Sequence, residues 1–284
     1  MSSEAFQRDS VENRAAVVAL ANQKGGVGKT TTAVNCAVLF ARRGFRVLLV
    51  DFDPQGNATS SLGLEKRDLP ATIYDVMIER RDGASVVIAE IRPNLDLLPA
   101  TPTLAAAEID LVQMNDRERI LRKALRKLAS RYDLILIDCP PSLGLLTVNS
   151  LTAADYVLVP IQCEFLALEG LGQLIATIDL VKRQLNPALD VLGVVMTMYD
   201  ARTRLSASVV EEVRRYFPER IFATLVPRSI RLAEAPSFGM AIAEYDGASK
   251  GAQAYEEVVD ELRARLRLAP SGGSLPVAEP IAAH

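Results

Sequence analysis

The segment Lys24-Gly25-Gly26-Val27-Gly28-Lys29-Thr30-Thr31 directly follows a short apolar stretch containing Val17-Val18-Ala19-Leu20. A buried strand that turns through glycines into a helix aims backbone N–H groups and a positive helix end at one point, which makes a phosphate site. There Lys29 can reach β- and γ-phosphates and the Thr30 hydroxyl can ligate Mg²⁺. Gly25, Gly26 and Gly28 permit an approach that a Cβ would obstruct. The spacing is a variant. The first glycine of the usual P-loop would fall at Gln23, and Thr31 stands where a dinucleotide fingerprint needs its third glycine. An ordinary strand–helix turn accounts for the glycines but not for the adjoining Lys29-Thr30-Thr31. Lys24, at the front of the loop, is the departure to explain; taken alone it reads equally as a solvated lysine.

Further apolar runs suited to buried parallel strands fall at 47–50, 134–137, 156–160 and 191–196, besides 17–20. Helical patterns fall at 31–42, 117–129, 166–184, 209–216 and 252–268, the second of them basic on one face. This alternation predicts an α/β fold: a doubly wound, mostly parallel sheet flanked by helices, with right-handed crossovers. Ligands of such sheets sit at the carboxyl ends of the strands. The glycine loop, Asp51 and Asp53, Asp138 and Pro227 all follow apolar runs, so they are expected on one edge. One domain is expected over 15–268, with flexible tails at 1–14 and 269–284, the latter rich in Pro, Gly, Ser and Ala.

Two aspartates, Asp51 and Asp53, end an apolar run one residue apart, on one side if the strand geometry continues. Asp53 can orient or activate an attacking water while Asp51 supports Mg²⁺ or the loop, since phosphoryl transfer needs mainly positioning and charge neutralisation. Capping the turn at Pro54 is the plainer alternative. Asp138 ends Leu134-Ile135-Leu136-Ile137, the arrangement that places a carboxylate near Mg²⁺; it too can simply cap a turn. Pro140-Pro141 stiffens the stretch that follows.

The composition narrows the chemistry. The only histidine is His284, which removes His-based metal sites and His–Ser or His–Cys catalysis from the body of the chain. Cys36, Cys139 and Cys163 are widely spaced and form no CxxC, so buried free thiols are expected. No apolar run is long enough for a membrane span, and the first residues have no apolar signal core, so the cytoplasm is the expected location. The net charge of −3 gives no global pull toward nucleic acid. The stretch 201–231 differs, with seven arginines against three glutamates. Arg202, Arg204, Arg228 and Arg231 are thus a local candidate for phosphate contact, or merely a solvated face.

The glycine loop resembles the deviant Walker A motif of the ParA/MinD ATPases, and the chain is most similar to the chromosomal ParA branch, also called Soj. The resemblance continues through Val50-Asp51-Phe52-Asp53-Pro54-Gln55-Gly56-Asn57, Ile137-Asp138-Cys139-Pro140-Pro141-Ser142, the block from Glu164 to Gly170, and the block from Pro227 to Gly239. It implies ATP and Mg²⁺ as cofactors, with Lys24, Gly25, Gly26, Val27, Gly28, Lys29, Thr30 and Thr31 around the nucleotide. It implies that Thr31 meets the α-phosphate and that Pro227 lines the adenine pocket. Lys24 would reach across a homodimer interface to the partner's nucleotide. Lys24, Lys29, Asp53 and Asp138 are the implied catalytic set, and Thr30, Asp51 and Asp138 the implied metal set. Arg202 and Arg231, with Arg204 and Arg228 as weaker candidates, would bind DNA without sequence preference. A ParB/Spo0J-type centromere-binding protein would stimulate hydrolysis on the nucleoid. The region before the first strand is too short for the helix-turn-helix domain of some plasmid-type relatives.

Three rival classes remain. A MinD-like membrane-associated positioning ATPase needs a basic amphipathic C-terminal helix, whereas 269–284 contains no Lys or Arg. A nitrogenase iron protein would use paired cysteines, for which Cys139 and Cys163 are the candidates. An adaptor with a dead nucleotide site would release no phosphate.

Overall fold

The computed structural model describes residues 14–164 and 169–269. The expected tails therefore lie outside the described residues except for Arg14 and Ala269. The same holds for Phe165–Leu168, at the start of the helix expected over 166–184.

Among the described residues, eight strands form one sheet in the order β3-β4-β2-β5-β1-β6-β7-β8. They are β1 (Ala16–Leu20), β2 (Val47–Asp51), β3 (Ile88–Arg92), β4 (Leu95–Leu98), β5 (Leu134–Asp138), β6 (Tyr156–Gln162), β7 (Asp190–Tyr199) and β8 (Ile221–Pro227). Every pairing is parallel except that of β3 with β4. The strands read from sequence are the central ones. Each residue of β1, β2 and β5 is buried, because a parallel sheet covered on both faces needs apolar side chains pointing both ways.

The period of two sorts these side chains into two cores. Val17, Ala19, Leu48, Val50, Ile135 and Ile137 face one layer, which holds helices Ile120–Leu128, Leu145–Ala153, Glu169–Gln184 and Arg204–Tyr216. Val18, Leu20, Val47, Leu49, Leu134 and Leu136 face the other, made by helices Lys29–Arg42 and Lys250–Leu266. The sheet thus carries helices on both sides, as expected of a doubly wound fold.

Several boundaries differ from the sequence expectation. The basic helix is α-helical only over Ile120–Leu128, with 3₁₀ turns at Arg117–Arg119 and Ala129–Arg131. The helix expected from 209 begins at Arg204, because the Thr203 hydroxyl accepts from Ser206 N (3.3 Å) and caps it. The three cysteines are buried free thiols.

Candidate functional site

All the parallel strands end on one edge, where the glycine loop leaves β1. Gly28 N-caps helix Lys29–Arg42 in the left-handed region at φ 88°, a conformation that a Cβ would strain, and no side chain caps that end. The first-turn amides are therefore left for a ligand. The loop is fixed from behind: the Thr197 hydroxyl of β7 donates to the Val27 carbonyl at 2.8 Å.

A cavity of about 260 Å³ opens over this helix end. Of the residues singled out in the sequence, Gly25, Gly26, Gly28, Lys29, Thr30, Thr31 and Asp53 line it, while Val27 does not; Gln55, Asn57, Pro141 and Met198 complete the lining. Of these additions, Gln55, Asn57 and Pro141 lie in motif blocks that marked the region. Met198 has no sequence mark; it sits near the end of β7 with φ at 52°, unusual for a side-chain-bearing residue.

Lys29 is only 6 % exposed, and its ammonium donates to the Lys24 carbonyl at 3.2 Å. Burial lowers its proton affinity, while the charges of Asp138, Cys139 and Asp53 oppose that shift. Asp138, at the end of β5, is fully buried, and neither carboxylate oxygen has a hydrogen-bond partner among the described residues. Its pKa rises well above the ordinary value, through burial first and then the Asp51 charge. Thr30 and Lys29 pull the other way, Thr30 by lying close without hydrogen-bonding geometry.

Asp51 is employed differently. Its Oδ2 accepts from Thr59 N (2.8 Å) and Thr59 Oγ1 (2.7 Å), and its Oδ1 from Asp53 N (3.3 Å). Burial still pushes it up to about 6. These bonds tie the end of β2 to helix Asn57–Ser61, whose N-cap Gly56 (φ 61°) has no room for a side chain, since a Cβ would meet the Ala100 carbonyl at 2.6 Å. Asp53 Oδ1 accepts from Gln55 N at 2.9 Å. Its other oxygen has no hydrogen bond among the described residues, and Asp53 lines the cavity.

Lys24 is not part of that wall. Its ammonium lies 3.5 Å from Glu164 Oε2, and Arg228 pairs with the other oxygen of Glu164 at 3.2 Å. Glu164 falls in a quoted motif block, but nothing in the sequence marked it as the partner of Lys24. Pro227 ends β8 opposite Tyr199, half-buried and apart from the cavity lining.

The four arginines follow the ends of neighbouring strands β7 and β8, and Arg228 N donates to the Tyr199 carbonyl at 3.0 Å. Arg202 pairs with Asp200 at 2.8 Å and holds that carboxyl down at about 2. Arg231 pairs with Glu234 at 3.0 Å and lies 3.6 Å from Asp246. Arg204 is exposed at the start of its helix, with no ion pair among the described residues. No helix among the described residues is long and apolar enough to cross a membrane.

The family described as an AAA domain matches residues 15–191. The chain is 52 % identical over 248 residues to the sporulation initiation inhibitor protein Soj of Bacillus subtilis, covering 87 % of this chain and 98 % of that protein. It is 51 % identical over 249 residues to the chromosome partitioning protein ParA of Myxococcus xanthus, covering 88 % of each. Among solved structures, a cobyrinic acid a,c-diamide synthase from Mycobacterium smegmatis with bound ATP analogue and magnesium superposes with a TM-score of 0.78. It is 39 % identical, over 93 % of this chain and 100 % of that one. The variant glycine loop, the aspartates that end β2 and β5, and identity of this extent place the chain in the ParA/MinD group of P-loop ATPases, and within it in the chromosome-partitioning ParA (Soj) family.

Proposed function

We propose that this protein is a partitioning ATPase that binds ATP with Mg²⁺, dimerises on it, coats DNA without base readout and is released by hydrolysis. One observation carries the reading: two partnerless, buried Asp138 oxygens lie near a buried Lys29, beside an uncapped helix end. Such a site is incomplete without an anion at the helix end and a cation near the carboxylate. Among the described residues no cluster of three or more acidic, histidine or cysteine side chains can hold a metal alone. That suits Mg²⁺, which takes one or two protein oxygens and completes its shell with phosphate and water.

The residues divide the work. The first-turn amides and Lys29 hold the phosphates, with Thr31 toward the α-phosphate. Thr30 and Asp138 face the cation, and bound Mg²⁺ neutralises the phosphate charge. Asp51 acts on the loop through Thr59. The free oxygen of Asp53 orients water for in-line attack. Lys24, released from Glu164, crosses to the nucleotide of a second copy. Pro227 flanks the adenine. Dimerisation joins two sets of Arg202, Arg204, Arg228 and Arg231, and phosphate contacts multiply within one ligand. Arg202, Arg228 and Arg231 are themselves exposed, so exchanging their acidic partners for DNA phosphates costs little. A ParB-type protein stimulates hydrolysis, and the cycle runs in the cytoplasm on the nucleoid. The body over 15–268 works as one ATPase domain between two tails.

The test is DNA co-sedimentation with ATP, ADP or no nucleotide. Binding should be strong with ATP alone and alike for unrelated duplexes. Equal binding in all three states rejects the cycle.

A further inference from the structure

A second cavity, of about 650 Å³, lies at the opposite edge of the sheet, beneath the starts of β1, β6 and β7. Its wall carries Arg14, Arg122 and Arg126 against a single carboxylate, Asp155. That carboxylate is already committed: it takes Arg14 at 2.8 Å and the Val17 amide at 3.0 Å. Among the described residues the Arg122 guanidinium has only a long bond to the Leu185 carbonyl at 3.4 Å. Arg126 makes no hydrogen bond or ion pair among the described residues. Thr152, also in the wall, is fully buried, and its hydroxyl has no partner among the described residues.

The arginines feel one another. Arg122 binds its proton less tightly than an ordinary guanidinium, through burial first and then through the charges of Arg126 and Arg119, with Arg14 contributing. The ring of charge is therefore uncompensated by about two units, and guanidinium forks suit planar or tetrahedral oxyanions. Leu125, Ala129 and Ala153 supply an apolar side. The volume falls in the ~300–1,000 Å³ range of small-molecule sites, more than inorganic phosphate alone would fill.

We infer that this cavity is a second ligand site, separate from the nucleotide loop, that binds a small organic phosphate monoester. Its dianion sits among Arg14, Arg122 and Arg126 and its apolar body lies against Leu125 and Ala153. The inference does not depend on the proposed ATPase cycle, because the two cavities share no residue.

Calorimetric titration of the full chain with 1-naphthyl phosphate tests it, with inorganic phosphate and 1-naphthol as the two halves of the probe. One site per chain is expected, with each half binding at least about tenfold more weakly than the whole. Arg126→Ala should weaken binding about tenfold, because a charge-assisted contact is lost. That side chain is exposed and makes no hydrogen bond or ion pair among the described residues, so folding is not at stake. Arg122→Ala/Arg126→Ala should abolish binding, and Lys29→Ala should leave it unchanged. Absence of binding to the parent protein overturns the inference. So does binding that survives the double substitution or that is lost in Lys29→Ala.

Discussion

Replacing Thr59 by valine should unsettle the site from a residue that touches no ligand. The Thr59 hydroxyl donates to Asp51 Oδ2 at 2.7 Å and accepts from Ala100 N at 3.1 Å, with both Thr59 and Asp51 fully buried. Valine keeps the shape and removes both bonds. A hydrogen bond to a buried carboxylate contributes roughly 1.5–3 kcal/mol, and an orphaned buried N–H costs roughly 1–3 kcal/mol, so about 4 kcal/mol is expected at a pH where Asp51 is charged. For a folded body of roughly 250 residues the unfolding entropy makes that about 8 °C in Tm. The loss should depend on pH. The folded-state pKa of Asp51 is raised, to about 6 from 3.8. The stability that its protonation lends is complete below the unfolded value and is lost as pH rises through about 6. Removing Thr59 raises the folded value further, so the extra penalty appears above pH 6 and fades below it. Thermal unfolding followed by circular dichroism at pH 8.5 and pH 5.0 should show the variant's deficit shrink by roughly 1–1.5 kcal/mol at the lower pH, because a bond to a neutral acid is weaker. Thr59→Ser should recover most of the loss at both. A deficit that is equal at the two pH values, or below about 1 kcal/mol throughout, refutes the assignment of Thr59 as the group that makes the Asp51 charge tolerable.

Six other substitutions probe the proposed cycle and the scaffold beside it. Lys29→Ala should reduce ATP–Mg²⁺ affinity at least tenfold by equilibrium binding, a loss of about 1.4 kcal/mol or more, whereas Lys24→Ala should keep most of that affinity and show no ATP-driven rise in light scattering. Asp53→Ala should hold ATP and form a long-lived dimer with little phosphate release; turnover at the parent rate, with DNA and partner saturating, removes Asp53 from the water-positioning role. Arg202→Glu and Arg231→Glu should flatten the salt dependence of DNA binding by roughly 0.9 per lost phosphate contact, equally on unrelated duplexes; unchanged binding in both would move the DNA face to the basic helix Ile120–Leu128. Glu108→Ala should cost about 1–2 kcal/mol in urea denaturation, because its carboxylate accepts from Leu145 N (2.8 Å) and Leu146 N (3.3 Å) and caps a helix that has no cap of its own.

What the sequence made legible follows from how each part is held. The central strands stand out as unbroken apolar runs because both faces of β1, β2 and β5 are covered. By contrast β3 is half-exposed, with Glu90 at φ 52°, and β8 is only partly buried, so neither leaves a clean run. The glycine loop is readable because its signal is local: glycines, Lys29, Thr30 and Thr31 follow one another in the chain and line one cavity. The acids that end β2 and β5 are readable too, since charge after an apolar run is costly and calls for a reason. Their partners are not. Thr59 reaches Asp51 from eight residues on, and Thr197 reaches Val27 across 170. Glu164 meets Lys24 only because β6 lies beside β1. The order of strands in the sheet, rather than any motif, brings the last two pairs together. The glycine loop marks the place of the cavity, while bonds outside the loop sort the charged side chains around it: Lys29 and Asp53 line the cavity, Asp51 is held by Thr59, and Lys24 pairs with Glu164.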